Sequence, residues 1–314
     1  LVLLIRFMEK QEVDINQFIK DIKKLPTWIK HYGLNHHSPS QLNKIDGAWS
    51  YEYLHLTQEQ RRKLPGNSKM YAGVQMGTAG QLAFGNYEWQ GSKKIEIKKQ
   101  RNVFEKILET FNAYLPKDDK DRDQHNINRK GLALTFENLK KAFGEVGLKD
   151  PIECERTVWL NLPECQLPCI GRIDFEDQKN FIELKTKWRY SRKRKDGTTA
   201  YPLYGIKNDI SPDYLLQCAF YHLASGKKPH LVIVNEDDYK IFNQDNCEEL
   251  KPKNLKKILN KMAMIALRRE RLMERHAGKS SFVQDVEPTF DHPFYWNFGG
   301  NHKQEAMKLW GIEI

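Results

Sequence analysis

The chain has few cysteines and no long apolar run. Five cysteines occur among its 314 residues, at positions 154, 165, 169, 218 and 247. An odd number favours free thiols in an intracellular compartment over a disulfide framework. Cys165 and Cys169 lack a second Cys or His pair at zinc-finger spacing, so we interpret them as packing residues. The apolar start Leu1–Ile5 ends at Arg6, and no other run is long and apolar enough to span a membrane. We therefore expect a soluble protein.

Acidic residues are also in deficit. The chain has 41 Asp and Glu against 51 Lys and Arg, and the net charge of +10 favours a polyanionic partner. The excess is concentrated in residues 187–195, here called the basic segment. It combines two aromatic residues with six cations: Lys187, Trp188, Arg189, Tyr190, Arg192, Lys193, Arg194 and Lys195. This composition suits phosphate contact and base stacking. A solvated loop without a ligand is the alternative interpretation.

Two short apolar segments carry the most chemical information. Gly171–Phe175 and Phe181–Thr186 have the pattern of two strands joined by a polar turn. Because side chains alternate along a strand, we expect Asp174, Glu183 and Lys185 to converge on one side. Two carboxylates suit a hard divalent cation, and a lysine suits the alignment or deprotonation of an attacking water. The alternative is a cross-strand ion pair on a solvated sheet face.

The acid-x-Lys pattern alone is weak evidence, since it recurs at six other places in this lysine-rich chain. Its context distinguishes Glu183-x-Lys185, which lies in an apolar run just after another strand that carries an acid. Glu96-x-Lys98 is the strongest competitor, but we identify no acid-bearing strand before it at hairpin distance.

A helix is predicted about thirty residues after the hairpin. Asp213–Ala224 has apolar residues at helical spacing, with Ser211 as the N-cap and Pro212 at the first helical position. Gln217 and Tyr221 lie four residues apart and share one face of this helix. On its own, this spacing also suits a surface amide and a core aromatic.

The ordered motifs G-x-x-D, E-x-K and Q-x-x-x-Y resemble the nuclease module of RecB-type exonucleases, in the PD-(D/E)xK superfamily. Ser38–Asn43 is similar to that family's S-x-S-x-L helix start, and Met76–Gln81 is similar to its Gly-Thr-x-x-His helix. The resemblance covers roughly residues 36–235 and depends on the order of the motifs. It implies an α/β fold of the restriction-endonuclease-like type: a mixed central sheet flanked by helices, with a helical N-terminal region.

Two departures from the family pattern concern metal chemistry. Gln81 stands where the family has a histidine, and Glu88 is a weak substitute for it. Family members with an iron–sulfur cluster have one cysteine near the N-terminal motif and three beyond Q-x-x-x-Y. Here only Cys247 follows Tyr221, which excludes a four-thiolate cluster at those positions.

The resemblance implies a DNA exonuclease dependent on Mg²⁺ or Mn²⁺, acting in recombination, repair or DNA degradation. Asp174, Glu183 and the Leu184 carbonyl would hold the ion, and Lys185 would position the attacking water. Gln217 would lie near the scissile phosphate. Three further residues would support these groups: Glu155, Gln81 and Tyr221.

The implied partner is single- or double-stranded DNA with a free end, contacted by the basic segment. We expect the protein itself to be intracellular, in bacterial or phage-infected cytoplasm, with an organellar matrix as the alternative. Two other functions stay open: a catalytically silent nucleic-acid-binding protein on the same fold, and a structure-specific endonuclease.

We expect one domain. Residues 1–150 should form a mainly helical part, residues 151–245 the catalytic α/β core, and residues 246–314 a helical and aromatic tail. Within the first part, the charged stretch Lys117–Arg129 is predicted to be an exposed loop. The tail aromatics, including Trp296 and Trp310, are predicted to dock on the core.

Overall fold

The computed structural model describes residues 25–64, 66–292, 295–296, 298 and 300–312. The predictions made for residues 1–24 lie outside them. No helix in these ranges combines the length and the apolar character needed to cross a membrane.

A mixed β-sheet forms the centre of the protein. Its strands are β1 (Tyr87–Gln90), β2 (Lys93–Glu96), β3 (Glu153–Leu160), β4 (Cys169–Glu176), β5 (Asn180–Thr186), β8 (Lys228–Val234) and β9 (Tyr239–Phe242), while β6 (Arg192–Lys193) and β7 (Thr199–Ala200) form a separate hairpin. The order of the seven strands is β2-β1-β3-β4-β5-β8-β9. β3, β4 and β5 are antiparallel neighbours, and β5 pairs in parallel with β8.

Helices cover both faces of this sheet. They are α1 (Thr27–His31), α2 (Pro39–Leu42), α3 (Asp46–Ser50), α4 (Gln58–Arg62), α5 (Ser68–Phe84), α6 (Val103–Asn112), α7 (Asp119–Val146), α8 (Pro212–Ser225), α9 (Pro252–Arg275) and α10 (His302–Leu309). A π-helical turn, Tyr51–His55, continues α3, and two 3₁₀ turns occur at Glu248–Leu250 and Ser280–Gln284. α5, α6 and α7 bury one face, and α8 and α9 bury the other. The predicted α/β architecture with a mixed, helix-flanked sheet is confirmed.

Two predicted helix starts are present. At α2 the Ser38 hydroxyl accepts the Gln41 N–H at 3.2 Å, and the Gln41 side chain accepts the Ser38 N–H at 3.2 Å. This reciprocal pair satisfies two backbone donors of the first turn. At α8, Pro212 occupies the first turn after Ser211, although the Ser211 side chain makes no capping hydrogen bond.

The prediction of a loop at Lys117–Arg129 is wrong. α7 begins at Asp119 and continues for 28 residues, with the Asp118 carboxylate accepting the Asp121 N–H at 2.7 Å. Asp121 is buried and accepts hydrogen bonds from the Ser68 N–H and the Tyr114 hydroxyl. These partners outside the helix stabilise a helix whose buried face is partly polar, and such a face has no apolar periodicity to detect.

The region around Glu96 also differs from the prediction. Glu96 ends β2, which pairs with β1, and β1 carries Glu88 opposite Ile95. An acid-bearing strand therefore does precede Glu96 at hairpin distance. The hairpin is placed by a parallel pairing of Glu88 with Cys154 in β3, far along the chain.

The described tail aromatics pack on the protein, as predicted. Trp296 is 4% exposed and contacts the Tyr51 ring, with 6.0 Å between centroids. The Trp310 indole donates to the Val286 carbonyl at 2.9 Å.

The packing of α5 on β4 depends on a glycine. A Cβ at Gly80 would lie 2.7 Å from the buried Phe175 ring, whereas a Cβ at Gly77 in the same helix would meet nothing within 4 Å. Gly80→Ala should lower the free energy of unfolding by about 1–3 kcal/mol through overpacking. Gly77→Ala is the matched control and should raise it by about 0.5–1 kcal/mol. Urea denaturation measures both, and equal effects would contradict the packing argument.

Candidate active site

Regular strand alternation breaks in the middle of β4. A Cβ at Gly171 would lie 2.8 Å from aromatic rings of α8, whereas Phe175 packs against α5 on the other face of the sheet. Residues four apart on a regular strand share a face, so β4 changes faces between these two positions. Asp174 lies at this change. Opposite it in β3, Glu155 has a φ of 58°, a left-handed conformation that is uncommon outside glycine.

Three carboxylates form a row at this break. Glu155 and Asp174 lie between two β3–β4 pairs, Cys154 with Phe175 and Arg156 with Ile173, and so face each other across the strands. The β4–β5 register, extended by one residue, places Glu183 opposite Asp174. The paired residues of β4 and β5 end at Phe175 and Ile182. Beyond them the Asp174 side chain, not the β4 backbone, accepts the Leu184 N–H, at 2.8 Å. The two strands therefore separate where the carboxylates lie.

Lys185 joins this row from β5. Its ammonium pairs with one carboxylate oxygen of Glu183, while the other oxygen of Glu183 is buried and has no hydrogen-bond partner among the described residues. The Lys185 ammonium also lies 5.3 Å from the centroid of the Tyr214 ring on α8. The structure thus brings Asp174, Glu183 and Lys185 together, as their spacing predicted.

The electrostatics of the cluster disfavour further negative charge. Burial raises the pKa of Asp174, although the Lys185 ammonium opposes this rise. Burial and the nearby Asp174 carboxylate raise the pKa of Glu183 to about 8. For Lys185, burial lowers the pKa, but the carboxylates of Glu183 and Asp174 outweigh it and the net pKa is raised. A bound cation would relieve the repulsion between the two carboxylates.

Glu155 is engaged on both carboxylate oxygens. It accepts a hydrogen bond from the Gln81 amide at 3.0 Å and pairs with Arg172 at 3.0 Å. Gln81 therefore lies at the site, with its amide directed to a carboxylate. Burial raises the pKa of Glu155, and the Glu88 carboxylate on β1 contributes to the same rise. Glu153, by contrast, pairs with Lys94 at the sheet edge.

The predicted residues of α8 occupy different environments. Tyr221 is 5% exposed and its ring meets Phe181 edge-on, so it is a core aromatic. Burial, and then the Glu183 and Asp174 carboxylates, raise the pKa of its hydroxyl. Gln217 is partly exposed, and its side chain makes no hydrogen bond within the described part of the chain.

The basic segment divides into two parts. Near β5, Trp188 is 5% exposed and donates to the Thr186 hydroxyl, and Arg189 pairs with Glu236. Tyr190 stacks on Tyr204 with 4.1 Å between ring centroids. Beyond these, four exposed cations border a cleft of about 570 Å³ at the β6–β7 hairpin: Arg192, Lys193, Arg194 and Lys195. The charges of this outer part are exposed, whereas Lys187 and Arg189 are partly buried.

Tyr214 is the residue at the site that the sequence patterns did not identify. It lies three residues before Gln217 on the same predicted helix, and that spacing is the one signal that could have found it.

The oxygen donors of this site suit Mg²⁺ or Mn²⁺. Among the described residues, no group of three or more His, Cys, Asp or Glu side chains is arranged to hold one ion. Asp174, Glu183 and the Leu184 carbonyl would instead supply three oxygens, with water completing the coordination that Mg²⁺ commonly retains. The buried Glu183 oxygen without a partner is an acceptor that a cation would satisfy.

Comparison of the chain with protein-family models, with curated proteins and with solved structures gives no match.

Divalent metal should stabilise the folded protein through these carboxylates. Saturation at 100 times the dissociation constant would add about 2.7 kcal/mol to the free energy of unfolding. Thermal unfolding with Mn²⁺ and with EDTA measures this shift. Asp174→Asn should remove most of it, whereas Glu105→Gln, at an exposed carboxylate of α6, should retain it. An equal shift in both variants would reject Asp174 as a ligand.

Without metal, the raised pKa of Glu183 should make stability depend on pH. The folded state holds this proton more tightly than the unfolded chain, whose glutamate pKa is about 4.3. The resulting stabilisation is present below that value and is lost as pH rises through about 8. In EDTA, wild type should therefore lose unfolding free energy relative to Glu183→Gln across this window. Denaturant titrations at several pH values would show a constant difference if the carboxyl were unperturbed.

Proposed function

We propose that the protein is a metal-dependent DNA nuclease, and specifically an exonuclease. The observation that carries the proposal is the convergence of Asp174, Glu183 and Lys185 at the point where β4 and β5 separate. Apolar side chains would fill a gap in a sheet at a lower desolvation cost than two carboxylates and an ammonium, so packing does not explain these three groups. Their arrangement suits phosphodiester hydrolysis.

The carboxylates and the lysine have different proposed roles. Asp174 and Glu183 would bind the ion, which when bound supplies charge stabilisation to the phosphate and lowers the pKa of coordinated water. The Lys185 ammonium lies against two carboxylates, which favour its protonated form. It therefore acts as a hydrogen-bond donor that orients water or a phosphate oxygen. A protonated lysine can align the attacking water but cannot accept a proton from it, so we assign alignment to Lys185.

Substrate binding would involve the outer basic segment. Arg192, Lys193, Arg194 and Lys195 are exposed around an open cleft, and residues 187–191 connect them to the end of β5, where Lys185 lies. Cations at this density attract a polyanion and release its counterions. The resemblance to RecB-type exonucleases favours DNA with a free end, acting in recombination, repair or degradation.

The proposal predicts cleavage of end-labelled linear DNA with Mg²⁺ or Mn²⁺ and none with EDTA. Asp174→Asn and Lys185→Ala should each lower the rate by about 10²-fold or more, because each removes charge at the reacting phosphate. Single- and double-stranded substrates are tested side by side. Lys179→Ala is the matched control, since Lys179 is exposed in the turn before β5 and should leave the rate unchanged.

The same assays distinguish the other functions. Cleavage of a closed circular substrate would identify an endonuclease, because an exonuclease needs an end. Salt-sensitive DNA binding without metal-dependent cleavage would identify a silent binding protein. The observation that favours this alternative is Gln81, which stands in place of the family's histidine and donates its amide hydrogen bond to Glu155. Cleavage that survives both Asp174→Asn and Lys185→Ala would refute the assignment of the site.

A further inference from the structure

Tyr214 contacts two lysines of the site at once. The Lys185 ammonium lies 5.3 Å from the centroid of its ring, and the Lys187 ammonium lies 5.0 Å from it. Lys187 also donates a hydrogen bond to the Tyr214 hydroxyl at 2.6 Å. The Lys185 ammonium is within the range of a cation–π contact. The Lys187 ammonium is held mainly by its hydrogen bond to the hydroxyl.

The backbone explains why both lysines reach one ring. The Lys187 N–H donates to the Val234 carbonyl at 2.8 Å, which extends the β5–β8 ladder one residue beyond Thr186. Residues two apart on a strand share a face, so Glu183, Lys185 and Lys187 form one line.

Tyr214 is anchored beside this line by its helix and by the core. It lies in the first turn of α8, where its N–H donates to the Ser211 carbonyl at 2.9 Å. Its ring also packs against the apolar cluster of Cys218, Leu231 and Ile233. A ring fixed on one side by the core can restrict mobile lysine side chains on the other.

The balance of charge indicates what the second lysine is for. In a metal-bound site the carboxylates of Asp174 and Glu183 would carry two negative charges, which the ammonium groups of Lys185 and Lys187 offset. The third carboxylate, Glu155, is paired with Arg172. A divalent cation then leaves an excess of two positive charges. A phosphodiester carries one negative charge and gains a second as an oxygen nucleophile adds to phosphorus, so this excess matches the reacting group.

We propose that Tyr214 is a positioning residue which holds Lys185 and Lys187 side by side at the carboxylate pair, and that Lys187 thereby contacts the substrate phosphate. The inference rests on the proposed nuclease function for its substrate. The contact of Tyr214 with the two lysines does not depend on that function.

The ring and the hydroxyl of Tyr214 have separable roles. Tyr214→Phe keeps the ring and removes only the acceptor for Lys187. It should leave kcat within about twofold and raise KM several-fold, as Lys187→Ala should. Tyr214→Leu removes the ring and should also lower kcat about tenfold. The double variant Tyr214→Phe with Lys187→Ala should be no worse than Lys187→Ala alone, because both remove one interaction.

Two further readouts do not need activity. In NMR spectra of ¹³C-lysine-labelled protein, the ring current of Tyr214 should shift the ε-methylene signals of Lys185 and Lys187. The shift should persist in Tyr214→Phe and vanish in Tyr214→Leu. The slope of DNA affinity against salt should fall by about 1 in Lys187→Ala and stay unchanged in Lys179→Ala.

The outcomes separate the two proposals. Wild type without metal-dependent cleavage would refute the nuclease function, while the lysine signals still decide whether Tyr214 positions the two groups. Unshifted signals in wild type would overturn the inference. An active enzyme whose kcat is unchanged in Tyr214→Leu would also overturn it, as would a kcat lowered equally in Tyr214→Phe and Tyr214→Leu. Equal melting temperatures of the Phe and Leu variants check that both are folded.

Discussion

The site depends on one interruption of regular pairing, where β4 and β5 separate after Phe175 and Ile182. If the ladder continued, a backbone carbonyl of β4 would occupy the place of the Asp174 carboxylate on the Leu184 N–H. The side chain takes over this hydrogen bond, so the strands open without leaving a buried donor unsatisfied. The left-handed Glu155 on β3 lies at the same break. Unusual backbone conformations of this kind occur at functional sites, where the surrounding structure stabilises them.

The charged groups at this break are costly to bury. Asp174, Glu183 and Lys185 are largely withdrawn from water, and desolvation disfavours the charged form of each. Their mutual pairing offsets part of this cost, and a divalent ion would offset more. The nearby Tyr214 ring adds a surface against which two ammonium groups can lie. The same three side chains therefore affect both the stability of the folded protein and the proposed chemistry.

Sequence patterns predicted the elements whose partners are local. The hairpin around Asp174 and Glu183, the α2 capping box at Ser38 and the helix after Pro212 are each encoded within a few consecutive residues. Predictions that relied on the charge of a segment were wrong in part. The charged N-terminal half of α7 forms a helix because Asp121 binds Ser68 and Tyr114. Trp188 and Arg189 belong to a basic run, yet one is buried and the other pairs with Glu236.

The sequence by itself determined which side chains share a strand face or a helix face, since alternation and helical spacing follow from local geometry. That was enough to group Glu183 with Lys185 and to select Asp174. Only the tertiary structure decided that Tyr214 meets both lysines, that Gln81 meets Glu155, and that β4 changes faces at Asp174. The two contacts join residues distant in the chain, and the change of face depends on the helices packed on either side of β4. They result from the docking of α5 and α8 on opposite faces of one sheet, which no local periodicity records.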